Sequence, residues 1–415
     1  MRLDLPRLRE RFGGVLYYGM QQVYELDSGL AADERESRRN EATQRIPYEK
    51  LHEELADMAI VVPVREEKLK LLDGVLAGIP HPCLVILVSN STRTPVDRFQ
   101  LEKDMVETFA AYAKRPVITV YQGDPKLAEA FKAAGYTEIL DEEGKVRAGK
   151  AEGMMIGILM AKLAGKRTVG FIDSDNYFPG AVLEYCHLYA SGMAMARRKD
   201  YAMVRISWHS KPKIVEKSLY FAKWGRSSVI TNNYLNQLVS HFTGFETEVI
   251  RTGNAGEHAM TTDLAMQIGH SSGYSIEPYQ LVYLMEEFGG IATPHDPDIL
   301  QKMVNVYQIE SRNPHLHEYK GEEHVLRMIE ASLSVIYYSH LCPERLRDAI
   351  REELASRDIR PADEEIVHLR KYSPLATMDL EAFRRALPQE FYDRESMPNM
   401  HQGDISDTSE VEAVK

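Results

Sequence analysis

The chain has 415 residues, with 50 Lys and Arg against 62 Asp and Glu and a formal net charge of −12. That balance excludes general nucleic-acid binding, which needs a basic face to displace phosphate counterions. Three scattered cysteines, Cys83, Cys186 and Cys342, exclude a disulfide framework or a zinc cluster and fit a reducing cytoplasm.

In chain order, the first 54 residues form an N-terminal segment. Its charged start, Met1-Arg2-Leu3-Asp4-Leu5, lacks the apolar centre of a signal peptide, and no apolar run in the chain approaches a membrane span, so a soluble protein without a membrane partner is expected. Phe12-Gly13-Gly14-Val15-Leu16-Tyr17-Tyr18-Gly19 reads equally as a strand pair or part of a partner interface. From residue 55 to 260, short apolar runs alternate with helical patterns. The runs are Met58 to Val64, Cys83 to Val88, Val117 to Tyr121, Val169 to Ile172, Ala202 to Ile206 and Thr247 to Ile250; Leu101 to Ala113 and Gly153 to Leu163 carry a 3.6-residue apolar period. This rhythm predicts an α/β fold with a mostly parallel sheet covered by helices on both faces. From 261 to 395 a mainly helical part is expected, with a stripe of Val325, Met328, Ile329, Leu333 and Ile336 and a charged helix from Glu344 to Ala355. The acidic segment 396–415 has few large apolar residues and is expected to be a disordered tail. No internal repeat is visible.

The most informative stretch is Thr168-Val169-Gly170-Phe171-Ile172-Asp173-Ser174-Asp175-Asn176, an apolar strand ending in two carboxylates. In an extended segment, residues i and i+2 project to the same side, so Asp173 and Asp175 are expected to point together from the strand's carboxyl end, where open α/β sheets bind ligands. Paired carboxylates favour a hard divalent cation, Mg²⁺ or Mn²⁺. Roughly one or two such triplets arise by chance in a chain of this length, and a second, Asp296-Pro297-Asp298, sits among prolines that predict a turn.

Other motifs compete. Gly144-Lys145-Val146-Arg147-Ala148-Gly149-Lys150-Ala151 approaches a P-loop, but Ala151 lacks the metal-binding hydroxyl and Asp141-Glu142-Glu143 is no strand end. Lys150 still opens a predicted helix in a setting that suits a phosphate. The haloacid-dehalogenase phosphatase motif would need Thr or Val where Tyr177 stands. Two basic clusters could overcome the global negative field: Lys145 to Lys150, and the set Arg205, His209, Lys211, Lys213, Lys217, Lys223 and Arg226. The polar strand ends at Arg65-Glu66-Glu67 and Ser89-Asn90-Ser91 could bind a base and ribose, or simply cap helices.

Taken in order, Val62-Pro63-Val64-Arg65-Glu66-Glu67, Gly149-Lys150, Phe171-Ile172-Asp173-Ser174-Asp175, Gly225-Arg226-Ser227-Ser228, Gly256-Glu257-His258-Ala259-Met260 and Ser311-Arg312-Asn313-Pro314-His315-Leu316-His317 resemble the mannosyl-3-phosphoglycerate synthase family over nearly the whole chain. The resemblance implies a GT-A-type, retaining glycosyltransferase that moves mannose from GDP-mannose to the 2-hydroxyl of 3-phosphoglycerate, the precursor step to a compatible solute. It implies nucleotide contacts at Pro63, Val64, Glu66 and Ser89, and a diphosphate or sugar contact at Lys150. Asp173 would face the sugar and ribose, and Glu257 the transferred sugar. Asp175 and His315 would hold the divalent metal, with His317 as the rival ligand and otherwise an acceptor contact. Gly225, Arg226, Ser227 and Ser228 would grip the acceptor. The related glucosyl-3-phosphoglycerate synthases share several of these motifs but carry threonine at the last loop position, so glucosyl transfer is the alternative. A non-catalytic nucleotide-sugar binder would need neither the acceptor loop nor the metal histidine. A homodimer through the helical C-terminal part is expected.

Overall fold

The computed structural model describes residues 1–26, 43–198, 200–215, 218–222, 225–316, 321–388 and 391. Strands β1 (Arg2–Asp4), β2 (Arg9–Phe12), β3 (Val15–Tyr18), β4 (Gln21–Glu25) and β5 (Thr43–Arg45) precede helix α1 (Tyr48–Ala56). There follow β6 (Met58–Val64), α2 (Leu69–Gly78), β7 (Leu84–Ser89), α3 (Arg98–Ala113), β8 (Val117–Tyr121), α4 (Pro125–Ala133), α5 (Lys150–Leu163), β9 (Thr168–Phe171) and α6 (Pro179–Met195). The chain continues through β10 (Tyr201–Ser207), β11 (Lys211–Val215), β12 (Ser218–Ala222), α7 (Arg226–Thr243), β13 (His258–Thr261), α8 (Thr262–Gln267), β14 (His270–Ser271) and α9 (Ile276–Phe288). It ends with β15 (Val304–Glu310), α10 (Glu322–Tyr337), α11 (Glu344–Ser356), β16 (Lys371–Tyr372) and α12 (Leu380–Ala386).

The main sheet runs in the order β5, β1, β4, β15, β10, β13, β9, β6, β7, β8, with β3 also against β15 and β2 against β3. Strands β9, β6, β7 and β8 pair in parallel, as do β10, β15, β3 and β4. Between these two parallel groups β13 lies antiparallel to both β10 and β9. The predicted α/β fold with a largely parallel sheet is therefore present. The sheet also draws strands from both sides of residues 54 and 260.

Strand alternation divides the interior into two cores. Ala59, Val61, Ile86 and Val88 face a cluster that includes Met154, Ile158 and Leu284, while Ile60, Val62, Val85 and Leu87 face one that includes Leu72, Val182 and Tyr189. Helix α5 thus covers one face, and α2 and α6 the other. The stripe on α10 buries Ile329, Leu333 and Ile336 in the first core. No helix among the described residues is long and apolar enough to cross a membrane.

Three sequence expectations are refined. Phe12 to Tyr18 is a strand pair, β2 and β3 turning at Gly13 and Gly14. Thr247 to Ile250 is not a strand: side-chain amides take over the role of a neighbouring backbone. Asn236 bonds both the amide and the carbonyl of Ile250, at 2.8 and 2.9 Å, and Gln308 donates to the Val249 carbonyl at 2.7 Å. After residue 260 the chain still contributes a central strand, β15. The Asp296 to Asp298 triplet does lie at a turn, leading into a short 3₁₀ helix from Pro297 to Gln301. Residues 396–415 lie outside the described set.

Helix α5 approaches β6 closely because Gly157 faces Val61; a Cβ there would stand 2.4 Å from Val61 Cγ1. Gly157→Ala is expected to lower stability by about 1–3 kcal/mol despite the better helix former, because an added methyl forces α5 off the sheet. Urea denaturation checks this, and an unchanged midpoint would show that the helix re-seats without cost.

Candidate active site

Strand β9 ends at Phe171, and the chain bends at once: Ser174 and Asp175 occupy a turn. The two-residue alternation therefore does not govern Asp173 and Asp175, which corrects the geometric expectation of a simple parallel pair. Lys150, the first residue of α5, instead organises the cluster. Its Nζ lies 2.7 Å from Asp173 Oδ1 and 3.0 Å from Glu277 Oε1 at the start of α9. Burial opposes the charge on Lys150, but Asp173 and Glu277 together hold its pKa well above the usual lysine value. Gly256 passes so near that a Cβ would stand 2.7 Å from Asp173 Oδ2, so only glycine fits.

Glu257 enters the same place from the start of β13 and is fully buried. Trp208 Nε1 donates to its Oε2 at 2.8 Å, while Oε1 has no hydrogen-bond partner and lies 3.8 Å from His315 Nδ1. Burial, then the nearby charge of Asp173, pushes the Glu257 carboxyl up to about 8; Asp175 adds to the shift and Lys150 opposes it. His315 stacks on Trp208 with ring centroids 4.4 Å apart. Lys211 Nζ lies 4.0 Å from the centre of the Trp208 ring.

Among the described residues no three His, Cys, Asp or Glu side chains are grouped as a metal cage. The residues nonetheless fit a hard divalent cation. Asp175, 8% exposed, offers carboxylate oxygens and His315 a ring nitrogen; His315 lies beside the partnerless oxygen of Glu257, and the charge of Asp175 acts on the same carboxyl. Mg²⁺ and Mn²⁺ sites commonly use one or two protein ligands and complete their shell with substrate phosphates and water. His317 lies outside the described residues.

At the expected nucleotide end, Glu66 adopts a left-handed backbone with φ 59°. Ser91 Oγ accepts its amide at 2.8 Å, and its carboxylate accepts the Thr92 amide at 2.6 Å, which holds Glu66 below the usual carboxylate range. Pro63 is partly exposed at the end of β6. Val64 is buried, and its carbonyl accepts the Asn90 amide at 2.8 Å. The structure corrects the role of Ser89: its side chain is fully buried and donates to Glu102 at 2.6 Å, so the hydroxyl is not presented to a ligand.

Gly225 is the N-cap of α7, with Arg226 at its first turn and Ser227 and Ser228 buried beneath. Unsatisfied amides and the helix dipole make such an end suited to an anion. Together with Trp208, Thr252 and Asn254, the Gly225 and Ser228 positions line a pocket that Arg251 completes. The Arg226 guanidinium is bidentate to Glu322, with both contacts at 2.5 Å, and stands half exposed. Arg205, another member of the basic cluster that includes Arg226, is fully buried. It bonds the carbonyls of Thr252, Gly253 and Glu277 at 2.9, 3.2 and 3.0 Å and Gln280 Oε1 at 2.9 Å, and burial lowers it to about 10. Its work is to tie the pocket loop to α9. The side chains of Lys213, Lys217 and Lys223 lie outside the described set. Lys145 to Gly149 form no P-loop, since Val146 bridges back to Leu140.

Sequence reasoning missed Arg251, Asn254 and Glu277. The first two sit in a segment without regular structure, and Glu277 is revealed only by its contact with Lys150, 127 positions away.

A family model described as mannosyl-3-phosphoglycerate synthase matches residues 5–387. The chain belongs to the mannosyl-3-phosphoglycerate synthase family. Two similar relatives carry that family's name: one from Pyrococcus furiosus, 46% identical and covering 93% of this chain and 97% of the relative, and one from Aeropyrum pernix, 38% identical and covering 86% and 90%. Among solved structures, glucosyl-3-phosphoglycerate synthase from Mycobacterium tuberculosis with phosphoglyceric acid matches 78% of this chain and 94% of that chain. The identity is 14% and the TM-score 0.43. Its complex with Mn²⁺, uridine diphosphate and glucosyl-3-phosphoglycerate matches 80% and 97%, at 15% and 0.43.

The pairing of Arg226 with Glu322 adds a test to this family member's pocket. A half-exposed ion pair is worth only about 0–1 kcal/mol, so an anion can compete for the guanidinium. Glu322→Gln is expected to lower the KM for 3-phosphoglycerate by up to about fivefold, close to 1 kcal/mol, whereas Arg226→Ala raises it by about tenfold or more. Steady-state kinetics on both variants decides, and an acceptor KM unmoved in either would rule out the expected acceptor contact at Arg226.

Proposed function

We propose that this chain transfers mannose from GDP-mannose to the 2-hydroxyl of 3-phosphoglycerate, with retention of configuration and with a divalent metal, Mg²⁺ or Mn²⁺. One observation carries the reading. Trp208 links two places: it donates to Glu257, whose carboxyl feels both Lys150 and Asp175, and it lines the same pocket as Gly225 and Ser228 at the anion-suited start of α7, which supports a donor diphosphate and a phosphorylated acceptor bound close to one another. The acceptor carries about three negative charges at neutral pH and the donor about two more. Only local cations set into this acidic chain would draw both to one cleft.

In this reading Lys150 binds the diphosphate or the sugar and Asp173 orients the sugar and ribose. Asp175 and His315 hold the metal, which when bound neutralises charge on the departing nucleotide. The α7 start, with Arg226, Ser227 and Ser228, receives the acceptor, and Arg251 and Asn254 join it from the facing wall. Asp173 is held by Lys150, and Glu257 is buried with one oxygen bonded to Trp208 and its carboxyl pushed up by burial, so this reading casts neither carboxylate as a covalent nucleophile. The acceptor hydroxyl therefore attacks from the face the nucleotide leaves, and the departing phosphate oxygen takes its proton. Free, buried Cys83, Cys186 and Cys342 suit a reducing cytoplasm. A homodimer belongs to the same proposal and is measured by light scattering.

The test is purified protein with 3-phosphoglycerate, Mg²⁺ or Mn²⁺ and a panel of GDP- and UDP-sugars, followed by nucleotide release and product stereochemistry. GDP-mannose is expected to lead the panel and to give the α-linked product; preference for UDP-glucose would move the chain to glucosyl transfer. Asp175→Asn is expected to reduce turnover at least about a hundredfold, about 3 kcal/mol, because it removes one anionic ligand and keeps the side-chain shape. Circular dichroism on the same preparation checks that folding is intact.

A further inference from the structure

Glu184 lies on α6, 2% exposed, and its carboxylate is aimed at the turn that carries His315. Oε1 accepts the Arg312 amide at 2.5 Å; Oε2 accepts the Asn313 amide at 2.9 Å and Asn313 Nδ2 at 2.6 Å. A carboxylate removed from water is stable when several donors converge on it, and here all three come from the same turn. Other partners bond that turn at separate points: the Ser311 amide donates to Ser207 O at 2.9 Å and the Arg312 guanidinium to Tyr24 O at 3.0 Å. Ser311 Oγ donates to the Asn313 carbonyl at 2.8 Å and accepts the His209 amide at 3.1 Å. The His315 amide donates to Ser210 O at 2.9 Å, and the Tyr177 amide to Leu316 O at 3.0 Å.

The helix that presents Glu184 starts at Pro179, four residues after Asp175. A rigid element therefore leaves the Asp175 turn and grips the His315 turn from within, fixing the separation between a carboxylate and an imidazole that belong to distant parts of the chain. We propose that Glu184 is a positioning residue that sets the two proposed metal ligands at their working distance. This rests on the reading of Asp175 and His315 as metal ligands. Partners that orient the ligands of a metal commonly change its affinity by about 10–100-fold when removed.

Glu184→Gln keeps the volume and one acceptor oxygen but turns an N–H toward the donors of the 312–313 turn. Mn²⁺ is titrated calorimetrically into the GDP-saturated full-length protein, for the parent chain, Glu184→Gln and His315→Ala. GDP is titrated separately in the presence of a chelator. The expected result is Mn²⁺ affinity weakened about tenfold or more in both variants, with GDP affinity in chelator within about twofold of the parent. If His315→Ala weakens Mn²⁺ binding and Glu184→Gln stays within about twofold, the positioning role is overturned while the ligand assignment stands. An unmoved His315→Ala overturns the assignment and this inference with it. Equal losses of GDP and Mn²⁺ affinity in Glu184→Gln also overturn the inference, since they report a loosened fold.

Discussion

One ammonium group makes the candidate site possible. Asp173, Asp175, Glu257 and Glu277 gather at the carboxyl edge of a sheet in a chain that is already acidic, and like charges in a low-dielectric setting repel strongly. Lys150 bridges Asp173 and Glu277 directly and lowers the proton affinity of Glu257 from nearby. Its placement is a consequence of the fold: it is the first residue of a buried helix that glycine lets pack tightly on β6. The same helix that fills one core thus delivers the cation to the cleft, and stability and site geometry are linked through α5.

Much of this was legible in the sequence. Short apolar runs located β6, β8, β9 and β10 to within about a residue: β6, β9 and β10 are buried on both faces and read as near-continuous apolar stretches, while the edge strand β8 is a short run rich in β-branched residues. Among the residues picked out by motif order, Lys150 touches Asp173 and His315 lies beside Glu257, whose carboxyl feels the charges of Asp173, Lys150 and Asp175. What was hidden depended on contacts that no local pattern encodes. Strand β15 contains Asn305 and Gln308, polar residues that disguise a central strand, yet Gln308 is needed there to satisfy the backbone of Val249 and Arg251. Arg205 looked like a cleft cation, but the alternation of β10 and the carbonyls of the 252–253 segment draw it inside. Ser89 looked like a ligand contact until Glu102 claimed its hydroxyl.

Polar groups buried in pairs and triads recur around the cleft: Arg205 under the pocket loop, Glu102 under the Glu66 turn, Glu184 under the His315 turn. Each ties a loop at the candidate site to a helix or strand of the sheet layer. Loops that must meet charged ligands carry few apolar side chains to anchor them, and a buried ionisable group with several fixed partners supplies the rigidity that packing cannot.

The position of β15 has a consequence for how the chain is made. Among the described residues, β3 and β4 reach the rest of the sheet through β15, which in turn pairs with β10. During synthesis on the ribosome the opening segment therefore emerges first and docks late, after residues 304–310 have appeared. Until then it presents an unpaired edge of the kind that other chains can capture. Strand β2 lies along β3, and its exposed, charged Arg9 and Arg11 help keep the amino-terminal ribbon solvated until β15 arrives to pair with β3 and β4.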